Sequence, residues 1–141
     1  MNNTYQKPAK LVIPGEGNNY EVILSEEGTT QGDVAAMALY GLGIKPLTDK
    51  LATVVDKSLC RQVWYADDST AGGKLSEMKK WWKELCQSGP KYGYYPLASK
   101  TILIVKPEHR QIAEEIFGDS GVKITTEGER HMGAVIGTEE F

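Results

Sequence analysis

A β-prone run leads straight into two adjacent carboxylates in the stretch Gln62-Val63-Trp64-Tyr65-Ala66-Asp67-Asp68. Its branched and aromatic residues predict a strand that ends in an acidic turn. Carboxylates held on a rigid hairpin bind hard divalent cations such as Mg²⁺ beside phosphates. Neighbouring side chains of a strand point to opposite faces, which favours Asp67 as the principal ligand and Asp68 as its support. An ordinary acidic turn is the alternative interpretation.

The segments on both sides of this stretch alternate between strand and helix patterns. Short apolar runs bounded by Gly, Pro, Asn or Asp predict further strands. These runs cover residues 9–13, 20–24, 100–105, 122–125 and 131–136, and the first two predict a hairpin. The pattern as a whole predicts a mixed α+β fold.

Three segments show helical spacing. The first begins near Gln31, behind the cap residue Thr30. Glycines and Pro46 in its middle predict that it forms either two pieces or one kinked rod. The second segment, residues 74–88, has apolar side chains on one face and lysines largely on the opposite face. The third covers residues 107–118, with proline at its start and glycine at its end.

The composition limits what the chain can do. It has 141 residues, of which 40% are hydrophobic and 25% charged, as in one soluble globular domain. Its net charge of −3 lacks the basic excess that drives phosphate binding, so any nucleic-acid role must rest on local features. The longest aliphatic run, residues 102–105, is far below the ~20 residues of a membrane span. We therefore expect an intracellular protein, cytoplasmic or nuclear, without a membrane partner.

Cysteine and aromatic residues supply further candidates for the core. Cys60 and Cys86 lack the spacing of a disulfide framework or a zinc site, which predicts core thiols in a reducing compartment. Of the adjacent Trp81 and Trp82, we expect one in the core and one at the surface. The tyrosines of residues 92–95 are expected to pack rather than to stack on bases.

Four segments in order resemble a known family. Tyr65-Ala66-Asp67-Asp68 resembles the catalytic hairpin of reverse transcriptases, whose pattern is Tyr-x-Asp-Asp. Upstream, residues 27–33 are similar to the Gly-x-x-Gln-Gly-Asp segment that opens the long palm helix of these enzymes. Downstream, residues 98–101 resemble the next palm motif, and residues 130–137 resemble the primer-grip hairpin. The four segments resemble those of retrotransposon enzymes more than those of retroviral enzymes.

The resemblance implies a set of site residues. Asp67 and Asp68 would bind Mg²⁺ or Mn²⁺, which activates the primer 3′-hydroxyl and neutralises the leaving pyrophosphate. Lys100 would act as general acid toward pyrophosphate, although a strand-edge lysine is more often merely solvated. The substrates would be an RNA template with a DNA primer and deoxynucleoside triphosphates. The residues implied along their path are Gly28, Gln31, Gly32, Tyr65 and Ala66.

The two-metal scheme needs one more aspartate, from a neighbouring palm strand. Residues 1–24 contain no Asp. We therefore expect residues 1–141 to be one partial domain, the second half of a polymerase palm, whose antiparallel sheet has helices packed on one face. The first catalytic strand and the fingers would lie upstream and the thumb downstream, so the isolated chain should be inactive.

Two other functions stay open. A catalytically dead remnant would act as a nucleic-acid-binding or interaction module, which the missing aspartate favours. An RNA-directed RNA polymerase would more usually carry Gly before the two acids, and Ala66 argues against it.

Overall fold

The computed structural model describes residues 7–17, 19–26, 28–29 and 33–141. This part of the chain is mixed α+β, which confirms the predicted class at that level. The chain divides into two compact units, Met1–Gly43 and Ile44–Phe141. None of the described helices is both long and apolar enough to cross a membrane. The helices are α1 (Ala36–Val54), α2 (Leu75–Ser88) and α3 (Arg110–Phe117); the strands are β1 (Ala9–Pro14), β2 (Tyr20–Ser25), β3 (Cys60–Tyr65), β4 (Asp68–Gly73), β5 (Ile102–Ile104), β6 (Lys123–Thr125), β7 (Gly128–His131) and β8 (Ala134–Gly137).

Strands β1 and β2 form an antiparallel hairpin in the first unit, as predicted. The register places Leu11 opposite Ile23 and Val12 opposite Val22. Because adjacent residues of a strand face opposite ways, both faces of the hairpin carry an apolar pair. Every residue of the two strands is exposed. Cross-strand pairs of this kind are therefore the contacts that stabilise the hairpin itself.

Helix α1 begins later than the sequence predicts. The backbone N–H of Ala36 donates to the carbonyl oxygen of Asp33 (3.1 Å), and the carboxylate of Asp33 accepts the N–H of Ala35 (2.6 Å). Asp33 thereby satisfies an amide at the helix start that has no partner within the helix. The predicted start near Gln31 is corrected to Ala36; Gln31 and its predicted cap Thr30 lie outside the described residues.

Pro46 lies inside α1, which is one continuous helix rather than two pieces. Proline has no backbone N–H, so it removes one hydrogen bond from the helix interior. The apolar residues around it, Ile44, Leu47 and Leu51, are buried, and the two leucines have no exposed surface. Fully burying one leucine side chain contributes about 1.5–3 kcal/mol, which offsets the lost hydrogen bond.

The described strands form four separate two-stranded sheets, and they do not assemble into the single antiparallel sheet predicted from the sequence. Three pairs are antiparallel hairpins, whereas β5 and β6 are parallel, with Leu103 opposite Ile124. Helix α3 lies between these two strands in the chain. Parallel strands need a crossover connection, usually a helix, and α3 provides it here. The prediction of an all-antiparallel arrangement is therefore wrong at β5 and β6.

The predicted last strand is divided into a hairpin. Strands β7 and β8 pair antiparallel, with His131 opposite Ala134 around the turn. The turn residues Met132 and Gly133 both have positive φ, +50° and +81°. Positive φ at both central residues is the pattern of a type I′ turn, whose twist matches that of paired strands.

Both tryptophans of α2 are buried, so the prediction of one surface tryptophan is wrong. Trp81 is 6% exposed and Trp82 is 7% exposed. Adjacent helix residues point about 100° apart, so a helix covered on one side alone would expose one of them. Helix α2 contacts both β4 and α3. It is therefore covered on more than one side, which buries both indoles.

The two cysteines differ in their surroundings. Cys60 is buried at the start of β3, as predicted, but Cys86 is exposed on α2. Burial raises the pKa of the Cys60 thiol, and the negative charge of Glu77 raises it further. The prediction of two core thiols therefore holds only for Cys60, because Cys86 lies at the edge of the apolar face of α2.

Glu77 is a buried carboxylate whose protonation should lower the stability of the second unit. It accepts hydrogen bonds from Lys80 (2.6 Å) and from the backbone N–H of Asp56 (2.8 Å). These two bonds lower the pKa of Glu77, the Lys80 bond most. A lowered folded pKa gives stability that is present above the unfolded value, about pH 4, and is lost as pH falls through the folded value.

We expect Glu77→Gln to lower the free energy of unfolding at neutral pH and to flatten its decline in acid. Urea unfolding followed between about pH 7 and pH 3 measures both effects. Glu108→Gln, at an exposed glutamate, is the control and should follow the wild type. Parallel pH profiles for wild type and Glu77→Gln would contradict the assignment.

Candidate functional site

The β3–β4 hairpin carries the two adjacent acids at its tip. Tyr65 pairs with Asp68, so Ala66 and Asp67 form a two-residue turn. Ala66 has a φ of +51°, whereas Asp67 lies outside the positive region. Positive φ at the first central residue alone is the pattern of a type II′ turn, where glycine is usual. An alanine in this conformation stores about 1–2 kcal/mol of strain, and strained turns are frequent at functional sites.

The carboxylates of this tip are available to a ligand. Asp67 is the second turn residue and Asp68 is the first residue of β4, and both are exposed. In the part of the chain that the structure describes, neither carboxylate makes a side-chain hydrogen bond or an ion pair. Mg²⁺ in proteins is commonly held by one or two carboxylates together with water and substrate phosphates. The donor set at the tip therefore fits such an ion.

No cluster of three or more His, Cys, Asp or Glu side chains that could hold a metal occurs among the described residues. The donor set that this chain shows at the hairpin is thus the Asp67 and Asp68 pair alone. A two-metal polymerase site uses a further carboxylate. Two carboxylates alone are fewer than such a site uses.

Tyr94 supports the turn from outside the hairpin. Its hydroxyl donates to the backbone carbonyl oxygen of Asp67 (2.9 Å) and lies 2.9 Å from the hydroxyl of Ser69. Since the single phenol proton goes to Asp67, the Ser69 hydroxyl must donate to Tyr94. The Tyr94 ring packs edge-on against Trp64, with centroids 5.1 Å apart. These contacts connect the acidic turn to the loop that follows α2.

The phenol of Tyr94 stays protonated under ordinary conditions. Burial raises the pKa of Tyr94; the Ser69 hydrogen bond lowers it in part, and the negative charges of Asp67 and Asp68 raise it slightly further. The proton that donates to the Asp67 carbonyl is therefore retained. Tyr94 therefore holds the turn by a hydrogen bond to its backbone, and its uncharged phenol does not offset the charges of Asp67 and Asp68.

A second contact joins the β3–β4 hairpin to the β7–β8 hairpin. Thr70 Oγ1 lies 2.8 Å from His131 Nε2. Thr70 is in β4, and His131 is the last residue of β7. The segments that resemble the catalytic hairpin and the primer grip are therefore in direct contact. No local pattern in the sequence indicates this contact, because Thr70 and His131 are far apart in the chain.

The remaining predicted site residues are placed separately. Gly28 has a φ of +83° in the first unit, with open space where a side chain would lie. Gln31 and Gly32 lie outside the described residues. Lys100 is exposed at the end of a 3-10 turn, just before β5 rather than within it. Of the predicted site residues, the four that lie together at the acidic turn are Tyr65, Ala66, Asp67 and Asp68.

We expect Tyr94→Phe to destabilise the hairpin by about 1 kcal/mol, because it removes two hydrogen bonds and keeps the ring contact with Trp64. Urea unfolding monitored by tryptophan fluorescence measures the change. Tyr95→Phe is the matched control, since Tyr95 is 70% exposed and makes no hydrogen bond within the described residues. Equal effects of the two substitutions would show that the Tyr94 hydroxyl does not support the turn.

Comparison with known protein families, with curated protein sequences and with solved structures gives no match to this chain. The features that support a function are therefore those of the β3–β4 hairpin: its sequence, its strained turn and its two acids, which have no partner among the residues that the structure describes.

Proposed function

We propose that this chain supplies the metal-binding hairpin of an RNA-directed DNA polymerase of retrotransposon type. One observation carries the proposal. The Tyr65-Ala66-Asp67-Asp68 segment forms a tight hairpin turn whose two carboxylates are exposed and unpaired within the described residues. The turn also has a positive φ at Ala66, and the hydroxyl of the half-buried Tyr94 donates to its backbone.

The residues of the hairpin have distinct roles in this proposal. Mg²⁺ or Mn²⁺, when bound, supplies the positive charge that activates the primer 3′-hydroxyl and neutralises the leaving pyrophosphate. Asp67 and Asp68 provide the ligands for it. Ala66, with its small side chain, leaves room for the end of the primer. Tyr94 fixes the turn through the Asp67 carbonyl, so the carboxylates are positioned before substrate binds.

Other parts of the proposal concern the substrates. An RNA template paired with a DNA primer would contact Gly28, Gln31 and Gly32, and Tyr65 beside the turn. A deoxynucleoside triphosphate would provide the incoming nucleotide, with Lys100 as general acid toward pyrophosphate. The contact between Thr70 and His131 supports a coupled role for the two hairpins, since it joins the segment resembling the primer grip to the metal site.

A second candidate is a catalytically dead remnant that acts as a nucleic-acid-binding or interaction module. The observation that favours it is the donor set of two carboxylates, where the full reaction uses a further one. Binding of a primer–template, measured at increasing salt, separates the candidates when repeated with Mg²⁺. A polymerase site predicts binding that Mg²⁺ strengthens through Asp67, whereas a simple module predicts binding that depends on salt alone.

Metal binding at the hairpin tests the proposal on the chain itself. We expect Mn²⁺ to broaden the amide resonances of residues 66–68 selectively in an NMR titration, because its unpaired electrons relax nearby nuclei. The variant D67N/D68N should lose this broadening. The matched control is E139Q/E140Q, which neutralises another exposed pair of adjacent acids in the second unit. Broadening that D67N/D68N retains, or that both variants lose equally, would contradict the proposal.

A further inference from the structure

A groove lies at the start of β3, which is the end of this strand opposite the acidic turn. It encloses about 430 Å³ and is lined from three directions, by the end of α1, the start of β3 and the indole of Trp81 on α2. Sites for small organic ligands usually enclose about 300–1,000 Å³. The groove is therefore large enough for a small molecule of two or three rings.

The apolar part of the lining comes from Ala52, Val55, Cys60 and Trp81. Cys60 and Trp81 belong to the buried core of the second unit, with exposures of 3% and 6%. Their backbone positions are fixed by β3 and α2. The groove is consequently a preformed feature between two elements rather than a gap between loops.

The polar group inside the groove is already satisfied. The Gln62 side-chain oxygen accepts hydrogen bonds from the indole N–H of Trp81 (2.8 Å) and of Trp64 (3.0 Å). Its amide nitrogen donates to the carbonyl oxygen of Thr48 (2.7 Å). Gln62 therefore holds the wall of the groove in place and has little capacity left to bind a polar ligand group.

Two cations line the groove as well. Lys57 and Arg61 are exposed, and neither makes a hydrogen bond or an ion pair with any residue that the structure describes. By contrast, lysines on α1 and α2 form ion pairs: Lys50 pairs with Glu84, and Lys80 pairs with Glu77. The groove thus combines an apolar wall with two uncommitted positive charges.

The acidic side chains near the groove are occupied. Asp56 accepts hydrogen bonds from the backbone N–H and the hydroxyl of Ser58. Glu77 accepts from Lys80 and from the backbone of Asp56. Neither carboxylate pairs with Lys57 or Arg61. Because the whole chain carries a net charge of −3, attraction of an anion to this place must come from these local cations.

We propose that this groove binds a small aromatic anion, with its rings along the apolar wall and its acidic group between Lys57 and Arg61. An aromatic ring placed on an apolar wall removes apolar area from water. A guanidinium and an ammonium group both bind carboxylate, sulfonate or phosphate groups by charge-assisted hydrogen bonds. The site is separate from the acidic turn, so its ligand does not depend on the proposed polymerase chemistry.

Anilinonaphthalene sulfonate, a fluorescent aromatic anion, is the probe for the test. We expect saturable binding of one probe molecule per chain, seen as enhanced probe fluorescence. The neutral analogue phenylnaphthylamine, which lacks the sulfonate, should bind about tenfold more weakly. Arg61→Gln and Lys57→Gln should each weaken the binding of the anion by about tenfold, the change expected when a charge-assisted contact is lost.

Two further variants keep the test decisive, because exposed apolar residues elsewhere in the chain also attract such probes. Lys106→Gln removes an exposed lysine outside the groove and should leave binding unchanged. Ala52→Leu adds volume to the groove wall and should abolish the saturable phase in a folded chain, checked by urea unfolding. The proposal is overturned by equal binding of the neutral analogue, by equal effects of Arg61→Gln and Lys106→Gln, or by a folded Ala52→Leu that binds as before.

Discussion

Gly73→Ala is expected to prevent stable folding of the unit Ile44–Phe141. Gly73 ends β4 with a φ of +145°, a conformation that side chains rarely allow. A Cβ placed there would lie 2.0 Å from the carbonyl oxygen of Leu59 and 2.8 Å from the Cα of Cys60. Both obstacles are backbone atoms, so no side chain can move aside.

The close approach at Gly73 is also held by a hydrogen bond. The backbone N–H of Lys74 donates to the same Leu59 carbonyl oxygen at 2.8 Å. Relief of the clash would break this bond and separate the end of β4 from the start of β3. We expect a loss of more than about 4 kcal/mol, which is exceptional for one substitution and comparable with the stability of a small domain.

Gly72→Ala is the matched control for this prediction. Gly72 precedes Gly73 in the same strand, and a Cβ there meets nothing within 4 Å. Its substitution should change the free energy of unfolding by less than about 1 kcal/mol. Urea unfolding of both variants, followed by tryptophan fluorescence, makes the comparison. A Gly73→Ala variant as stable as Gly72→Ala would show that β3 and β4 do not close in this way.

Leu85→Ala is expected to destabilise the second unit by about 2–5 kcal/mol. Leu85 lies on α2 and is 1% exposed, in the same core as Leu47 and Leu51. Truncation loses the burial of the side chain and leaves a cavity that the surrounding helices fill only in part. Since α2 joins directly to β4 at Lys74, the loss should also loosen the hairpin.

Leu97→Ala is the control for the core, because Leu97 is 54% exposed in the loop before β5. Its effect should stay within about 0.5 kcal/mol. The midpoint of urea unfolding gives the difference between the two variants, and an unchanged slope shows that both unfold in the same way. Similar midpoints for the two leucine variants would refute the position of α2 in the core.

Local patterns in the sequence predict much of this structure. The run before Asp67 predicts β3 because its residues favour a pleated, half-buried strand. Helix α2 follows from apolar residues at helical spacing, and α3 from Gly118 at its end and from Pro107, which begins a 3-10 turn (Pro107–His109) so that α3 itself starts at Arg110. In each case the determining interactions lie within one element, so a short segment carries the information.

The features that the sequence does not reveal depend on contacts between distant segments. The parallel pairing of β5 and β6 joins two strands on opposite sides of α3 in the chain, and neither strand shows it alone. The burial of both tryptophans depends on what covers α2. The support of the acidic turn by Tyr94, and the contact of Thr70 with His131, join residues far apart in the chain.

The candidate site, like the fold, is only partly predictable from the sequence. The identity of Asp67 and Asp68 as a pair at the end of a strand is visible in the sequence. Their exposure and the absence of ion-pair partners among the described residues depend on the hairpin and its surroundings. The strain at Ala66 likewise appears only in the backbone geometry. Together these features support a ligand-binding turn more strongly than the dipeptide does.

Primer extension is the most direct test of the proposed function. The native polypeptide that carries this chain is supplied with an RNA template, a DNA primer, deoxynucleoside triphosphates and Mg²⁺. We predict DNA synthesis that requires the metal and that falls by about a thousandfold or more in Asp67→Asn, with E139Q/E140Q as the active control. Absence of synthesis, or synthesis that a folded Asp67→Asn variant retains, would contradict the proposal that this hairpin is a polymerase metal site.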